Sequence, residues 1–254
     1  MRQTNEELKK LLTVEQFPRA ATYDPIWVLE NQMGPNVLWL TEALVQVMDL
    51  RPGMRVMDMG CGKAISSIFL AKEFDLQVWA VDLWIDVNEN WQRIRAANLE
   101  DKVFPIHAEA HALPFANEFF DAIVSMDAYH YFGTDDLYLS QYFVRLVKPG
   151  GQIGIIVPGL LHEFEKGIPD HLKPYWQSEY QSFHSPEWWQ SHWEKSGLVE
   201  VEVADSLPDG WHYWLRWEEV RFESGFLYDK SEAEMLRIDN GRNLGFSRVF
   251  ARRK

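Results

Sequence analysis

The stretch Val56-Met-Asp-Met-Gly-Cys-Gly-Lys-Ala64 constrains this chain more than any other, because an apolar run closes on an acid and then on Gly60-x-Gly62. Glycines at a strand-to-helix turn let the backbone approach a ligand closely. Ile65 to Lys72 follows with apolar residues at helical spacing, which places such a ligand at a helix N-terminus. Taken alone, the loop fits either a nucleotide-like cofactor or a tight turn that packs a helix on a strand. A dinucleotide fingerprint needs glycine or alanine where Ile65 stands, and no Gly-x-x-x-x-Gly-Lys-Ser/Thr surrounds Lys63.

Four segments follow the loop in order. Gln77 to Val81 is an apolar strand closing on Asp82, twenty positions beyond Gly62, the separation at which an acid on the next strand reaches a ribose diol. Val103 to His107 is a third strand and Phe120 to Val124 a fourth; Lys148-Pro-Gly-Gly151 is a turn into a fifth, Gln152 to Val157. Helical stretches are expected between all of them, giving a parallel sheet with helices on both faces.

The ordered set Asp58-x-Gly60-x-Gly62, Asp82, Glu109-Ala110-x-x-Leu113-Pro114-Phe115, Phe120-Asp121-x-Ile123 and Lys148-Pro-Gly-Gly151 resembles the class I S-adenosylmethionine-dependent methyltransferases. The likeness is greatest to the subgroup that includes the ubiquinone and menaquinone C-methyltransferases and many small-molecule enzymes, and it runs from about Gly53 to Val157. Two departures stand out. Ala64 occupies a place often held by a third glycine, and Glu109 one where aspartate is commoner. The resemblance implies an α/β, Rossmann-like, seven-stranded, mostly parallel sheet, with S-adenosyl-L-methionine as cofactor. It also implies that Asp82 binds the ribose hydroxyls and that Glu109 takes the adenine amino group beside the Ala110 N–H. Leu83 would pack on the adenine, Asp58, Gly60 and Gly62 would shape the methionine end, and Cys61 and Met126 would complete the contacts.

At 254 residues and 46% hydrophobic, the chain can bury a full core, and it shows neither a linker nor an internal repeat. It reads as one methyltransferase unit: a helical cap over 1–50, a cofactor core over 51–157, and lid segments with the final strands over 158–254. Its first residues form no apolar signal run and no stretch reaches membrane-spanning length, so a soluble, cytoplasmic enzyme is expected. Thr4-x-x-Glu7 is a capping box, Asp24-Pro25 opens a helix ending near Gly34, and Pro35 opens another through Leu50. Tyr23, between these helices, is expected to pack rather than to touch the cofactor.

Composition narrows the acceptor. The single cysteine, Cys61, excludes both a disulfide within the chain and the multi-cysteine chemistry of arsenic methyltransferases. A net charge of −13, with basic residues clustered only at Arg252-Arg-Lys254, disfavours nucleic acid. The run Ser125-Met-Asp-Ala-Tyr-His-Tyr131 also lacks the Asp/Asn-Pro-Pro-Tyr/Phe pattern of base-amine methyltransferases. A small-molecule acceptor is therefore expected, with oligomeric state left open. His107, Glu109 and His111 at alternate positions invite a metal reading, which is rejected because the resemblance assigns Glu109 to adenine and strand alternation breaks before Leu113-Pro114.

Methyl transfer from a sulfonium needs alignment and exclusion of water, and a base only where the acceptor arrives protonated. The loop after the fourth strand carries Asp127, Tyr129 and His130 as catalytic candidates, and His130 leads because imidazole ordinarily titrates near neutrality. Seven of the twelve tryptophans lie between 159 and 243, in segments that look like a lid. Most are expected to pack, and Trp189 and Trp214 are singled out as possible acceptor contacts. Net acidity with tryptophan faces points to an amine or heteroaromatic nitrogen, with a lipophilic quinol or phenol, or a noncatalytic cofactor-binding role, as alternatives. A dinucleotide oxidoreductase is disfavoured by Ile65.

Overall fold

The computed structural model describes residues 3–254; the first two residues of the expected helical cap lie outside the described residues. Three helices, α1 (Asn5–Leu12), α2 (Pro25–Asn31) and α3 (Val37–Val45), lead into β1 (Arg55–Met59), α4 (Ile65–Phe74), β2 (Gln77–Asp82), α5 (Val87–Ala96) and β3 (Val103–His107). Next come β4 (Phe120–Met126), β5 (Val147–Leu160), α6 (Pro186–Glu194), β6 (Val199–Ser206), α7 (Gly210–Glu223), α8 (Ser231–Asp239) and β7 (Leu244–Arg253). The strands form one sheet in the order β3-β2-β1-β4-β5-β7-β6, parallel except for β7, which runs antiparallel to both β5 and β6. Strand order reverses between β1 and β4, and in such sheets the crevice beyond the carboxyl ends at that reversal receives ligands.

Successive residues of a strand face opposite sides, and the core divides accordingly. Val56, Ala122 and Val124 belong to one buried cluster with Phe69, Leu44 and Trp217; Met57, Met59 and Ile123 belong to another with Tyr129, Phe143 and Trp189. Burial on both faces explains why these strands read as continuous apolar runs rather than alternating ones.

Several boundaries depart from expectation. No helix joins β3 to β4: residues 108–119 form turns, in keeping with the break at Leu113-Pro114. The β4–β5 crossover uses short 3-10 and π turns instead of an α-helix. Lys148-Pro-Gly-Gly151 bulges within β5, where pairing jumps from Phe120↔Val147 to Ala122↔Gln152. Near the N-terminus the Thr4 capping box forms, but α2 stops at Asn31 and α3 starts at Val37, because the Asn36 side chain accepts from the Leu38 and Trp39 N–H groups. A short irregular segment around Met33-Gly34-Pro35 is thereby left free to form part of a wall. Among the described residues no helix is long and apolar enough to cross a membrane.

Candidate active site

The glycine loop leaves β1 at Met59, and the N–H groups of Gly60 and Cys61 both donate to the Val81 carbonyl. Asp82, at the end of β2, organises the loop from the other side. Its Oδ2 accepts from the Gly62 N–H at 2.8 Å, and its Oδ1 accepts from the Trp84 and Ile85 N–H groups at 2.7 and 3.0 Å. Ala64, where a glycine was to be expected, caps α4 in the left-handed region at φ +58°, which costs an L-residue roughly 1–2 kcal/mol. Asp58 is fully buried and does not line the cavity, so any part it plays in shaping the methionine end is indirect, through the loop and α4. Its Oδ2 accepts from the Ser66 and Ser67 hydroxyls at 2.6 Å each, tying the first turn of α4 to β1, and burial raises its carboxyl to about 6.

A cavity of about 340 Å3 opens beyond this loop. It brings together Gly60, Cys61, Gly62, Asp82, Leu83, Glu109, Ala110, Met126 and Asp127, gathered from the ends of β1, β2, β3 and β4. Glu109 holds His111 through its ring Nδ1 and its backbone N–H, at 2.7 and 2.8 Å, and these bonds hold the Glu109 carboxyl below its usual range. Met33, Gly34, Pro35 and the exposed Trp84 also line the cavity, and no motif or spacing singled them out.

The loop after β4 separates its three catalytic candidates. Tyr129 is fully buried, with its ring packed among Phe132, Tyr138, Phe143, Trp189 and Trp193, and it lines neither large cavity, so it is a core residue. Trp189 shares that core, away from any acceptor space. His130 does face a cavity, but burial pushes its imidazole down to about 3, which corrects the expectation of a base poised near neutrality. Asp127 sits in the left-handed region at φ +53°, and burial, with Glu218 close by, raises its carboxyl to about 8. Tyr23 stacks on Trp27 and donates to Glu73 at 3.0 Å, a packing role as expected.

A second cavity, of about 240 Å3, adjoins the first. The two share Met33, Gly34, Pro35, Asp127 and Tyr131. Gly34 is fixed from above by Trp217, whose Nε1 donates to its carbonyl at 2.8 Å. The remaining lining includes Glu179, Asp229, Glu232 and the ion pair Glu218–Arg221 at 2.5 Å, with Tyr180, Phe183 and Trp214 as aromatic faces. Of the segments read as a lid, α7, α8 and the 178–182 turn wall this cavity, whereas α6 packs against β6.

Comparison with known proteins shows what the chain is similar to. Residues 56–151 match the family described as a methyltransferase domain. The chain is also 25% identical over 213 residues to methyltransferase GfsG of Streptomyces halstedii, covering 80% of this chain and 72% of that protein. The chain thus carries a methyltransferase domain of the S-adenosylmethionine-dependent kind. The 27-O-demethylrifamycin SV methyltransferase of Amycolatopsis mediterranei is 27% identical over 46% of this methyltransferase, which spans 43% of that relative's length. Phosphoethanolamine N-methyltransferase 2 of Haemonchus contortus, solved with phosphomonomethylethanolamine and S-adenosylhomocysteine, superposes with a TM-score of 0.71 at 20% identity, over 99% of this chain and 60% of that one, and so shares the fold.

The first cavity fits the cofactor of this class. Its volume lies within the usual range for small-molecule sites, and its glycines sit where side chains could not. A Cβ on Gly60 (φ +75°) would lie 2.3 Å from the Ala128 Cβ, and one on Gly62 (φ +54°) 2.8 Å from the Met33 sulfur.

Proposed function

We propose that this methyltransferase methylates a nitrogen of a small amine held in the second cavity, with Asp127 taking the proton that the nitrogen must lose. The observation that carries this reading is the shared wall: the cavity that fits the cofactor and a strongly acidic, aromatic-faced cavity meet at Asp127. When bound, S-adenosylmethionine supplies a methyl group on a sulfonium, which departs as a neutral thioether. In the proposed site Asp82 holds the ribose hydroxyls, Glu109 and the Ala110 N–H hold the adenine edge, and Leu83 with Trp84 covers the adenine face.

An ammonium nitrogen has no lone pair to offer. Asp127 accepts one proton from it on a carboxylate oxygen, leaving the neutral amine in place, and a carboxyl near 8 is matched to that task close to neutrality. His130, held near 3, stays neutral over the same range and serves as a polar wall. Five carboxyl groups, Asp127, Glu179, Glu218, Asp229 and Glu232, face one guanidinium, Arg221, so the cavity attracts cations and disfavours anionic acceptors. The N-methyltransferase among the fold neighbours is consistent with an amine acceptor.

The test is a panel of amines, phenols and quinols, with S-adenosylhomocysteine as the measured product at low and high ionic strength. Amines should be methylated with an apparent affinity that falls as salt rises, since screening weakens attraction to a partly open acidic cavity. Turnover confined to neutral phenols or quinols would overturn the amine reading.

A further inference from the structure

The second cavity holds buried polar atoms that no protein group satisfies. Glu218 is 1% exposed; its Oε1 accepts from Arg221 Nη1 at 2.5 Å, and its Oε2 has no partner other than the neighbouring Glu232 carboxyl, which can donate only while it is protonated. The Nε of Arg221, itself 8% exposed, is also unpartnered, as is Nδ1 of His130, 2% exposed; all three residues line this cavity. A buried carboxylate oxygen left without a donor is costly, and a ligand N–H that enters the cavity removes that cost.

The unsatisfied oxygen lies on a different element from Asp127. Asp127 follows β4, whereas Glu218 is on α7 and faces Glu232 of α8 in the same space, with Glu179 and Asp229 contributed by neighbouring turns. Arg221 is the cation on this wall, and its pairing with Glu218 Oε1 offsets one carboxylate. One ammonium group placed at Asp127 therefore leaves Glu232 without a countercharge, beside a Glu218 that Arg221 already pairs.

Resting on the amine reading, we infer that the acceptor is a small organic dication: one ammonium group sits at Asp127 for methylation, and a second, spared from methylation, is held by Glu218 and Glu232 on α7 and α8. Trp214 and Tyr180 line the same cavity and offer ring faces that attract an ammonium group. Burial and mutual repulsion raise the carboxyls of Asp127 and Glu232 to about 8 each, so the cavity without its ligand retains protons near neutrality. A dication that restores their charge expels those protons on binding.

The experiment compares 1,4-diaminobutane with 1-aminobutane and 4-aminobutan-1-ol on the full chain. Calorimetry near neutral pH, in two buffers of different ionisation enthalpy, gives affinity and proton count, and S-adenosylhomocysteine formation gives kcat/KM. The diamine should bind at least about tenfold more tightly than either control and release protons, and Glu232→Gln should shrink that advantage to roughly threefold or less. A monoamine or amino alcohol that equals the diamine, or binding without proton release, overturns the dication while leaving amine methylation standing. If no amine is bound or methylated at all, the amine reading itself falls, and the dication with it.

Discussion

Placing an alanine at Gly34 tests the shared wall directly. Its backbone does not occupy the left-handed region, so a side chain there carries no conformational penalty, but the new Cβ would lie 2.1 Å from Asp127 Oδ2 and 3.3 Å from its Cγ. Either the carboxylate leaves its rotamer, at about 0.5–1.5 kcal/mol, or the wall shifts, at about 1–3 kcal/mol. Gly34→Ala should therefore destabilise the fold by about 1–3 kcal/mol and, by displacing Asp127, lower kcat/KM by roughly fivefold to a hundredfold. Removing the obstacle reverses the sign. On an Asp127→Ala background the same change should be neutral, or should stabilise by about 0.4–1 kcal/mol through the lost freedom of the unfolded glycine. The assay is a double-mutant cycle in denaturant, with kcat/KM measured on the same four proteins. Effects that add to within about 0.5 kcal/mol would show that Gly34 and Asp127 do not meet, and the shared wall would be wrong.

Asp82→Ala removes the acceptor for three backbone N–H groups and for the proposed ribose contact, so calorimetry should show S-adenosylmethionine affinity falling at least about tenfold; unchanged affinity would remove Asp82 from the cofactor site. With its carboxyl near 8, Asp127 must lose a proton before it can act, so kcat/KM should rise with pH through about 8 and then level, and Asp127→Asn should abolish that limb. A carboxyl raised above its unfolded value of about 3.9 gives a stabilising contribution that is full below about pH 4 and is lost as pH climbs from there through 8, so Asp127→Asn should gain melting temperature over wild type progressively across that window and hold the gain above 8. Tyr129→Phe deletes a buried hydroxyl that has no hydrogen-bond partner, so stability should change by less than about 1 kcal/mol and turnover should persist; a tenfold loss would restore Tyr129 to the chemistry.

The strands were legible because their signal is local: Val103–His107 matches the expected span, β2 ends at Asp82, and β1 and β4 end one residue before the glycine loop and Asp127. Connections were less so. Helical spacing cannot reveal that residues 108–119 satisfy their backbone as turns, nor that Asn36 captures the start of α3 two residues beyond the expected Pro35. That small shift frees Met33-Gly34-Pro35 to line both cavities. The residues expected at the cofactor line the first cavity because they sit at or just beyond strand ends. The second cavity draws on the loop after β4, the 178–182 turn, α7 and α8, and no spacing in the sequence announces that Glu218 and Glu232 face one space.

The opposite shifts of His130 and Asp127 show what a sequence withholds. Judged by intrinsic acidity, imidazole at about 6.5 is the better base near neutrality and a carboxylate at about 3.9 the poorer one. Both side chains lie in one loop, three residues apart, and both are desolvated there. Desolvation disfavours whichever form is charged, so it acts in opposite directions on the two groups. It lowers the cationic acid of His130 to about 3 and raises the neutral acid of Asp127 to about 8, with Glu218 adding to the rise. A single physical cause therefore inverts their order. The group that ends near neutrality is also the one on the wall between the two cavities, whereas His130 lines only the second. Position and proton affinity thus select the same residue, and neither could be read without knowing which side chains the fold removes from water.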